Sequence, residues 1–147
     1  MIWNVHRVDV THYTEEEAGL AYLAVALTAS SDDGNRYIEF QLADEEDRDW
    51  GYCIMDSSPH TVDASDLLSV ARMVATHATI YGGLLEASLT VDELVLVFDD
   101  QAQQVFGWPR VLTLRLEVSE HDRDALRVGL RDVLAVGPDG RVPALAL

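Results

Sequence analysis

Apolar and polar residues alternate along several short stretches of the chain, as they do in β-strands with one buried face. The clearest stretch is 37–42, where Ile38, Phe40 and Leu42 share one side. Similar patterns predict further strands, at residues 3–10, 52–55, 85–89, 94–98 and 111–118. The uniformly apolar stretch 20–27 is typical of a central strand. In the stretch 85–89, Leu85 and Leu89 are expected to face inward together.

Helical spacing is found at three places. Residues 119–135 carry an apolar stripe and begin with Ser119, a favourable N-cap. A shorter helix is predicted at 99–106, and an inserted amphipathic helix at Asp63–His77. Strands joined by short turns and interrupted by helices indicate an α+β fold. We expect a single antiparallel β-sheet, with the C-terminal helix, the short helix and the inserted helix packed on one face.

The length of 147 residues and a hydrophobic content of 48% predict one compact domain over residues 1–147. The tail 136–147 is expected to form either an edge strand or a loose segment. The single cysteine, Cys53, makes neither an internal disulfide nor a cysteine-based zinc site, which favours a reducing compartment. Residues 1–9 lack a signal-peptide pattern, and no apolar run has the length of a membrane span. A cytoplasmic location is therefore predicted.

The formal net charge of −16 narrows the range of partners. Such a surface repels nucleic acid backbones and anionic membranes, so neither is predicted as a partner. Basic proteins would be attracted to it instead.

The densest charge lies at residues 44–49, an acidic loop followed by Trp50. The run lacks the ligand spacing and the glycine of a calcium loop. It is either a solvated loop or a docking element, in which carboxylates pair with basic groups while the indole anchors the contact. On the second interpretation, the partner-binding residues are Asp44, Glu45, Glu46, Asp47, Asp49 and Trp50. Of the three tryptophans, we expect Trp50 to be the most exposed and Trp108 to cap the core.

No residue pattern predicts catalysis, a metal site or a cofactor. The five histidines include no metal-binding pair at helical i, i+4 spacing, and Cys53 is interpreted as a buried, inert thiol. Gly82 and Gly83 permit a bulge or a close backbone approach, rather than a phosphate cradle.

The order of several motifs carries a resemblance that none of them carries alone. A strand ending in Gln41 precedes the acidic run, the pair Gly51-Tyr52 and, later, Tyr81-Gly82-Gly83. Leucine-rich strands and the C-terminal helix follow. From about Tyr37 to Leu134, and more weakly over the first two predicted strands, the chain resembles the immunity protein 10 family of bacterial polymorphic toxin systems. The matching motif positions are expected to be structural, and they are Gln41, Gly51, Tyr52, Tyr81, Gly82 and Gly83.

The resemblance implies a non-catalytic, cytoplasmic α+β protein without cofactors. Such a protein binds a cognate toxin domain, often a nuclease or another enzyme, and protects the cell that produces the toxin. The negative charge of this chain would suit a basic nuclease. One segment, Ser57–Thr79, departs from the family pattern, and its predicted helix is either extra cover for the sheet or a specificity element.

Two other classes of function remain open at this point. The chain could be a homo-oligomeric structural or interaction module, with a homodimer formed through an edge strand or the inserted helix. It could also be a small-ligand-binding protein or an enzyme with an unrecognised site that uses His6, His12 or the acidic loop.

Overall fold

A computed structural model of the chain describes residues 2–32, 34–56 and 78–147. The strands in these residues are β1 (Ile2–Tyr13), β2 (Tyr22–Ser31), β3 (Gly34–Ala43), β4 (Cys53–Asp56), β5 (Ala78–Tyr81), β6 (Leu84–Leu89), β7 (Glu93–Phe98), β8 (Val111–Leu116) and β9 (Ala144–Ala146). The α-helices are α1 (Glu15–Ala18), α2 (Asp100–Phe106) and α3 (Glu120–Val133), and 3₁₀ helices span Glu45–Trp50 and Pro138–Gly140. The predicted helix Asp63–His77 lies outside the described residues.

All the strands of the described residues join one sheet, in the order β5-β4-β3-β2-β1-β8-β7-β6-β9. Strands β1 to β5 form an antiparallel meander, and β6 to β8 form another. The two meanders meet where β1 runs parallel to β8, with Trp3 opposite Leu114. Strand β9 is also parallel to its neighbour, β6. The prediction of an α+β fold is therefore confirmed. The prediction of an antiparallel sheet was wrong, because two of the strand pairs are parallel. The alternation of apolar and polar residues indicates which face of a strand is buried, but not the direction of the neighbouring strand.

The sheet curls until its two halves touch. Strand β5 forms one edge of the sheet, and β6 lies beside β9 at the opposite edge. Along the chain, only Gly82 and Gly83 separate β5 from β6. A link of two residues reaches about 11 Å, so the two strands must end close together. We call the contact between the two halves the seam. It is closed by the Tyr52 hydroxyl, which donates to the Leu84 carbonyl at 3.2 Å and accepts from the Leu84 amide at 3.1 Å.

Helix α3 covers the core-facing side of β1, β2 and β3. Its predicted apolar stripe is confirmed, since Leu126, Leu130, Val133 and Leu134 are fully buried. Gly129 allows the close approach, because a Cβ there would lie 3.0 Å from Val25. At the start of the helix, the Ser119 hydroxyl accepts a hydrogen bond from the Asp122 amide at 3.1 Å, so the predicted N-cap is confirmed.

Two local predictions need correction. Leu85 is exposed, because a bulge between Leu84 and Glu86 shifts the register and turns Leu84, Ala87 and Leu89 inward. The acidic segment predicted as a loop forms the 3₁₀ helix Glu45–Trp50. Of the two possibilities for the tail, the structure has the edge strand, since the tail contains β9 after the second 3₁₀ helix.

None of the helices in the described ranges combines the length and the hydrophobicity that a bilayer crossing requires.

Replacing Gly51 by alanine is expected to destabilise the protein by at least about 3 kcal/mol. Its φ of 75° and ψ of −176° favour glycine, and an added Cβ would lie 2.4 Å from the Pro138 nitrogen. Gly19→Ala is the matched control, because Gly19 has the same φ of 75° but no atom within 4 Å of an added Cβ. It should cost only about 1–2 kcal/mol. Denaturant unfolding measures both, and equal losses would contradict the packing role of Gly51.

Candidate partner-binding groove

An open groove of about 460 Å³ lies on the outer face of the sheet, the face turned away from α3. It is found where β3 and β5 end and β4 begins. We call it the aromatic groove. Its lining residues are Ala18, Leu20, Tyr22, Gln41, Ala43, Trp50, Gly51, Cys53 and Tyr81.

Two large aromatic rings stand at the rim of the aromatic groove. Trp50 is 65% exposed and Tyr81 is 54% exposed, and their ring centroids lie 5.8 Å apart. Leu20 adds a third exposed apolar side chain. The expectation for Trp50 is confirmed, because Trp3 and Trp108 are buried and Trp108 stacks on Phe106 at the end of α2. Adjacent exposed aromatic side chains are the usual anchors of protein–protein contacts.

The backbone at Gly51 turns Trp50 outward. Gly51 follows the 3₁₀ helix and packs against Pro138, and its conformation lets the chain reverse direction. The next residue, Tyr52, points into the core with 1% of its surface exposed. Its amide donates to the Val136 carbonyl at 2.8 Å. These contacts fix the backbone that directly follows Trp50.

The acidic residues predicted to bind a partner lie beside this groove, in different environments. Asp49 is exposed next to Trp50. Asp44 is more buried, and its carboxylate contacts the imidazole of His12. The side chains of Glu45, Glu46 and Asp47 lie outside the described part of the structure.

The structure brings to the groove several residues that sequence reasoning missed. Helix α1 carries three consecutive exposed acids, Glu15 to Glu17, and leads into the groove through Ala18 and Leu20. Strand pairing places Gln41 opposite Cys53, and Cys53 opposite Tyr81. The sequence did contain a signal for α1, because the three glutamates are followed by Ala18 and by Gly19, a residue that commonly ends a helix. The groove is therefore flanked by two acidic segments, α1 and the 3₁₀ helix.

The six motif positions divide between the seam and the groove. Gly51, Tyr52, Gly82 and Gly83 meet at the seam, where the Gly82 amide donates to the Tyr52 carbonyl at 2.9 Å. A Cβ on Gly83 would lie 2.4 Å from Ile80. Gln41 and Tyr81 instead line the groove.

Burial raises the pKa values of three groups in or next to the groove, namely Tyr22, Tyr52 and Cys53. Burial raises the pKa of the Tyr52 hydroxyl to about 12, so it stays protonated and keeps its hydrogen bond to Leu84. Burial, reinforced by the charge of Glu39, raises the pKa of the Cys53 thiol to about 11. A thiol that stays protonated is a poor nucleophile, in agreement with the interpretation of Cys53 as inert.

Within the described ranges, no three or more His, Cys, Asp or Glu side chains are grouped closely enough to hold a metal ion. The groove offers exposed aromatic surface with acidic groups at its sides. Chemically, this arrangement suits apolar and cationic side chains of another protein.

The fold and the groove thus define an acidic α+β protein with an open groove bordered by exposed aromatic side chains. The family model described as Immunity protein 10 matches residues 8–124, and the chain belongs to that family. The match confirms the resemblance found in the sequence, includes part of β1 and all of β2, and ends within α3. By family the chain is an immunity protein, and proteins of this kind are generally non-catalytic. Searches of the curated proteins and of the solved structures found no match.

Tyr52→Phe is expected to lower the free energy of unfolding by about 1–3 kcal/mol, because it leaves the buried amide and carbonyl of Leu84 without their partner. The folded protein holds the Tyr52 proton more tightly than the unfolded chain does. The stability linked to this proton is therefore complete below pH 10 and is lost as the pH rises towards about 12. The variant should lose less stability over that interval.

Tyr81→Phe serves as the control for this measurement, since the Tyr81 side chain is exposed. It should change the stability by no more than about 0.5 kcal/mol. Urea unfolding at pH 7 and at pH 10 and above gives both quantities. Equal stabilities of the two variants would contradict the role assigned to the Tyr52 hydroxyl.

Proposed function

We propose that this protein binds and neutralises a cognate toxin domain of a bacterial polymorphic toxin system, in the cytoplasm of the cell that produces the toxin. It acts by binding and not by catalysis. The observation that carries the proposal is the pair of exposed rings, Trp50 and Tyr81, at a groove flanked by acidic segments. Membership of the immunity family supports it.

The aromatic groove supplies the apolar part of the binding energy. Trp50, Tyr81 and Leu20 expose apolar surface to water. Covering this surface with a partner lowers the free energy, because apolar area is removed from water. The contacts of Gly51 and Tyr52 hold the backbone next to Trp50, so less backbone entropy is lost there on binding.

Negative charge supplies speed and selectivity. A protein with a net charge of −16 meets a basic partner faster than an uncharged protein would, by roughly 10- to 1,000-fold at low salt. We propose a nuclease as the partner, because nucleases bind anionic substrates on basic surfaces. A complementary acidic protein would compete with the nucleic acid for the same surface.

Co-expression tests this function directly. Cells that express the toxin domain encoded beside this gene should die without this protein and survive with it. Trp50→Ser should reduce protection, because it removes an anchor worth about 2–4 kcal/mol of binding free energy. Val91→Ser is the control, since Val91 is 67% exposed but lies in the turn between β6 and β7. Death of cells that carry the unaltered protein would refute the function, provided that the protein is expressed and folded.

Neutralising the 3₁₀ helix should slow association with the same toxin domain by about tenfold at low salt. The variant replaces Glu45, Glu46, Asp47 and Asp49 by their amides. A control with the same net charge replaces four exposed acids elsewhere, namely Asp92, Glu117, Glu120 and Asp132. Stopped-flow kinetics at several salt concentrations measures both rates. An equal effect of the two variants would show that only total charge matters and would remove this helix from the interface.

A further inference from the structure

The tyrosines are distributed unevenly over the molecule. Of the five in the chain, Tyr52 alone points into the core. Tyr22, whose ring stacks on that of Tyr13, and Tyr81 line the aromatic groove. Tyr13 and Tyr37 border a second recess on the same outer face. Tyrosine is enriched at protein interfaces, where its ring supplies contact area and its hydroxyl a hydrogen bond.

This second recess has a volume of about 290 Å³ and lies over β1, β2 and β3. We call it the tyrosine recess. Its floor is formed by the small side chains of Ala24 and Ala26, which leave room above the sheet. Its walls carry two rings, those of Tyr13 and Tyr37, and the carboxylate of Glu39. The recess therefore combines aromatic walls, a small apolar floor and a negative charge.

Hydrogen bonds hold the Glu39 carboxylate in position before any partner arrives. The Tyr37 hydroxyl donates to one oxygen at 2.5 Å, and the Gln41 amide donates to the other at 2.6 Å. Burial and the hydrogen bond to Glu39 raise the pKa of Tyr37, so this donor keeps its proton. A fixed carboxylate loses little freedom when it pairs with a cation.

The charge of Glu39 has no cationic partner within residues 2–32, 34–56 and 78–147. Arg7 lines the recess, and its guanidinium pairs with Asp9 at 2.8 Å. The recess is therefore left with one uncompensated negative charge.

We propose that the tyrosine recess receives an arginine side chain of the toxin domain, which pairs with Glu39 and stacks on the tyrosine rings. This inference rests on the proposed function and extends its docking surface from the groove to β1. A guanidinium fits better than an ammonium, because it is planar, stacks on aromatic rings and forms two parallel hydrogen bonds with a carboxylate.

The two sites form one continuous surface. Gln41 lines the aromatic groove and also donates to Glu39 in the recess. One partner can therefore contact Trp50 and Glu39 at the same time. The groove contributes apolar anchors, and the recess contributes a directional ion pair that rejects partners without an arginine at that place.

The substitution Glu39→Gln tests the proposal, because it removes the charge and keeps the shape. The probe is the toxin domain encoded beside this gene, with its activity inactivated. Dissociation of the Glu39→Gln protein from it should be about ten- to a hundredfold faster, since loss of a desolvated ion pair acts mainly on the dissociation rate. Glu86→Gln is the control, because Glu86 is an exposed strand glutamate in the other half of the sheet and its substitution changes the net charge equally.

A second variant, Tyr37→Phe, keeps the ring and removes the hydroxyl that positions Glu39. The dissociation rate of the Tyr37→Phe protein should lie between the rates of the unaltered protein and of the Glu39→Gln protein. Circular dichroism and thermal unfolding check that the variants are folded. Equal dissociation rates for Glu39→Gln and Glu86→Gln would overturn the recess proposal, while tight binding by the unaltered protein would leave the proposed function standing. If the unaltered protein itself failed to bind, the proposed function would fail first.

Discussion

Much of this structure depends on the closure of the seam around Tyr52. The Tyr52 hydroxyl joins β4 to the start of β6, and the link between β5 and β6 is too short to allow the two halves of the sheet to separate. Gly51 is needed there because an added Cβ would collide with the backbone of Pro138, and Gly83 is favoured there because its φ is 91°. The same closure sends Tyr52 inward and Trp50 outward. Stability and the exposed binding surface thus share one set of contacts.

The two faces of the meander β1–β5 carry different kinds of side chain. The core-facing side carries Val25, Phe40 and Ile54 in register and packs under α3. The outer side carries the tyrosines, the small alanines and the carboxylate of Glu39. Because α3 covers the core-facing side, the outer side can carry this mixture of polar and aromatic side chains without opening the core under α3.

Sequence patterns predicted the buried faces of the strands well, but not how the strands pair with one another. Alternation located Ile38, Phe40 and Leu42 correctly, because burial of a strand face leaves a period of two. It missed the parallel pairing of β1 with β8, which joins residues far apart in the chain. It also misplaced Leu85, since a bulge leaves no mark in the apolar pattern. Of the candidate site, Trp50 was anticipated from its acidic neighbours, but α1, Tyr22 and Tyr81 converge with it only through the sheet pairing.

The parallel pairing of β1 with β8 has a consequence for biosynthesis. Strands β2 to β7 lie between β1 and β8 in the chain, so β8 leaves the ribosome well after β1. Until then, one edge of the N-terminal meander is uncovered. Contacts between such distant segments slow folding, because a long loop must close before they form. The pairing of β1 with β8 therefore cannot form until β8 has been synthesised.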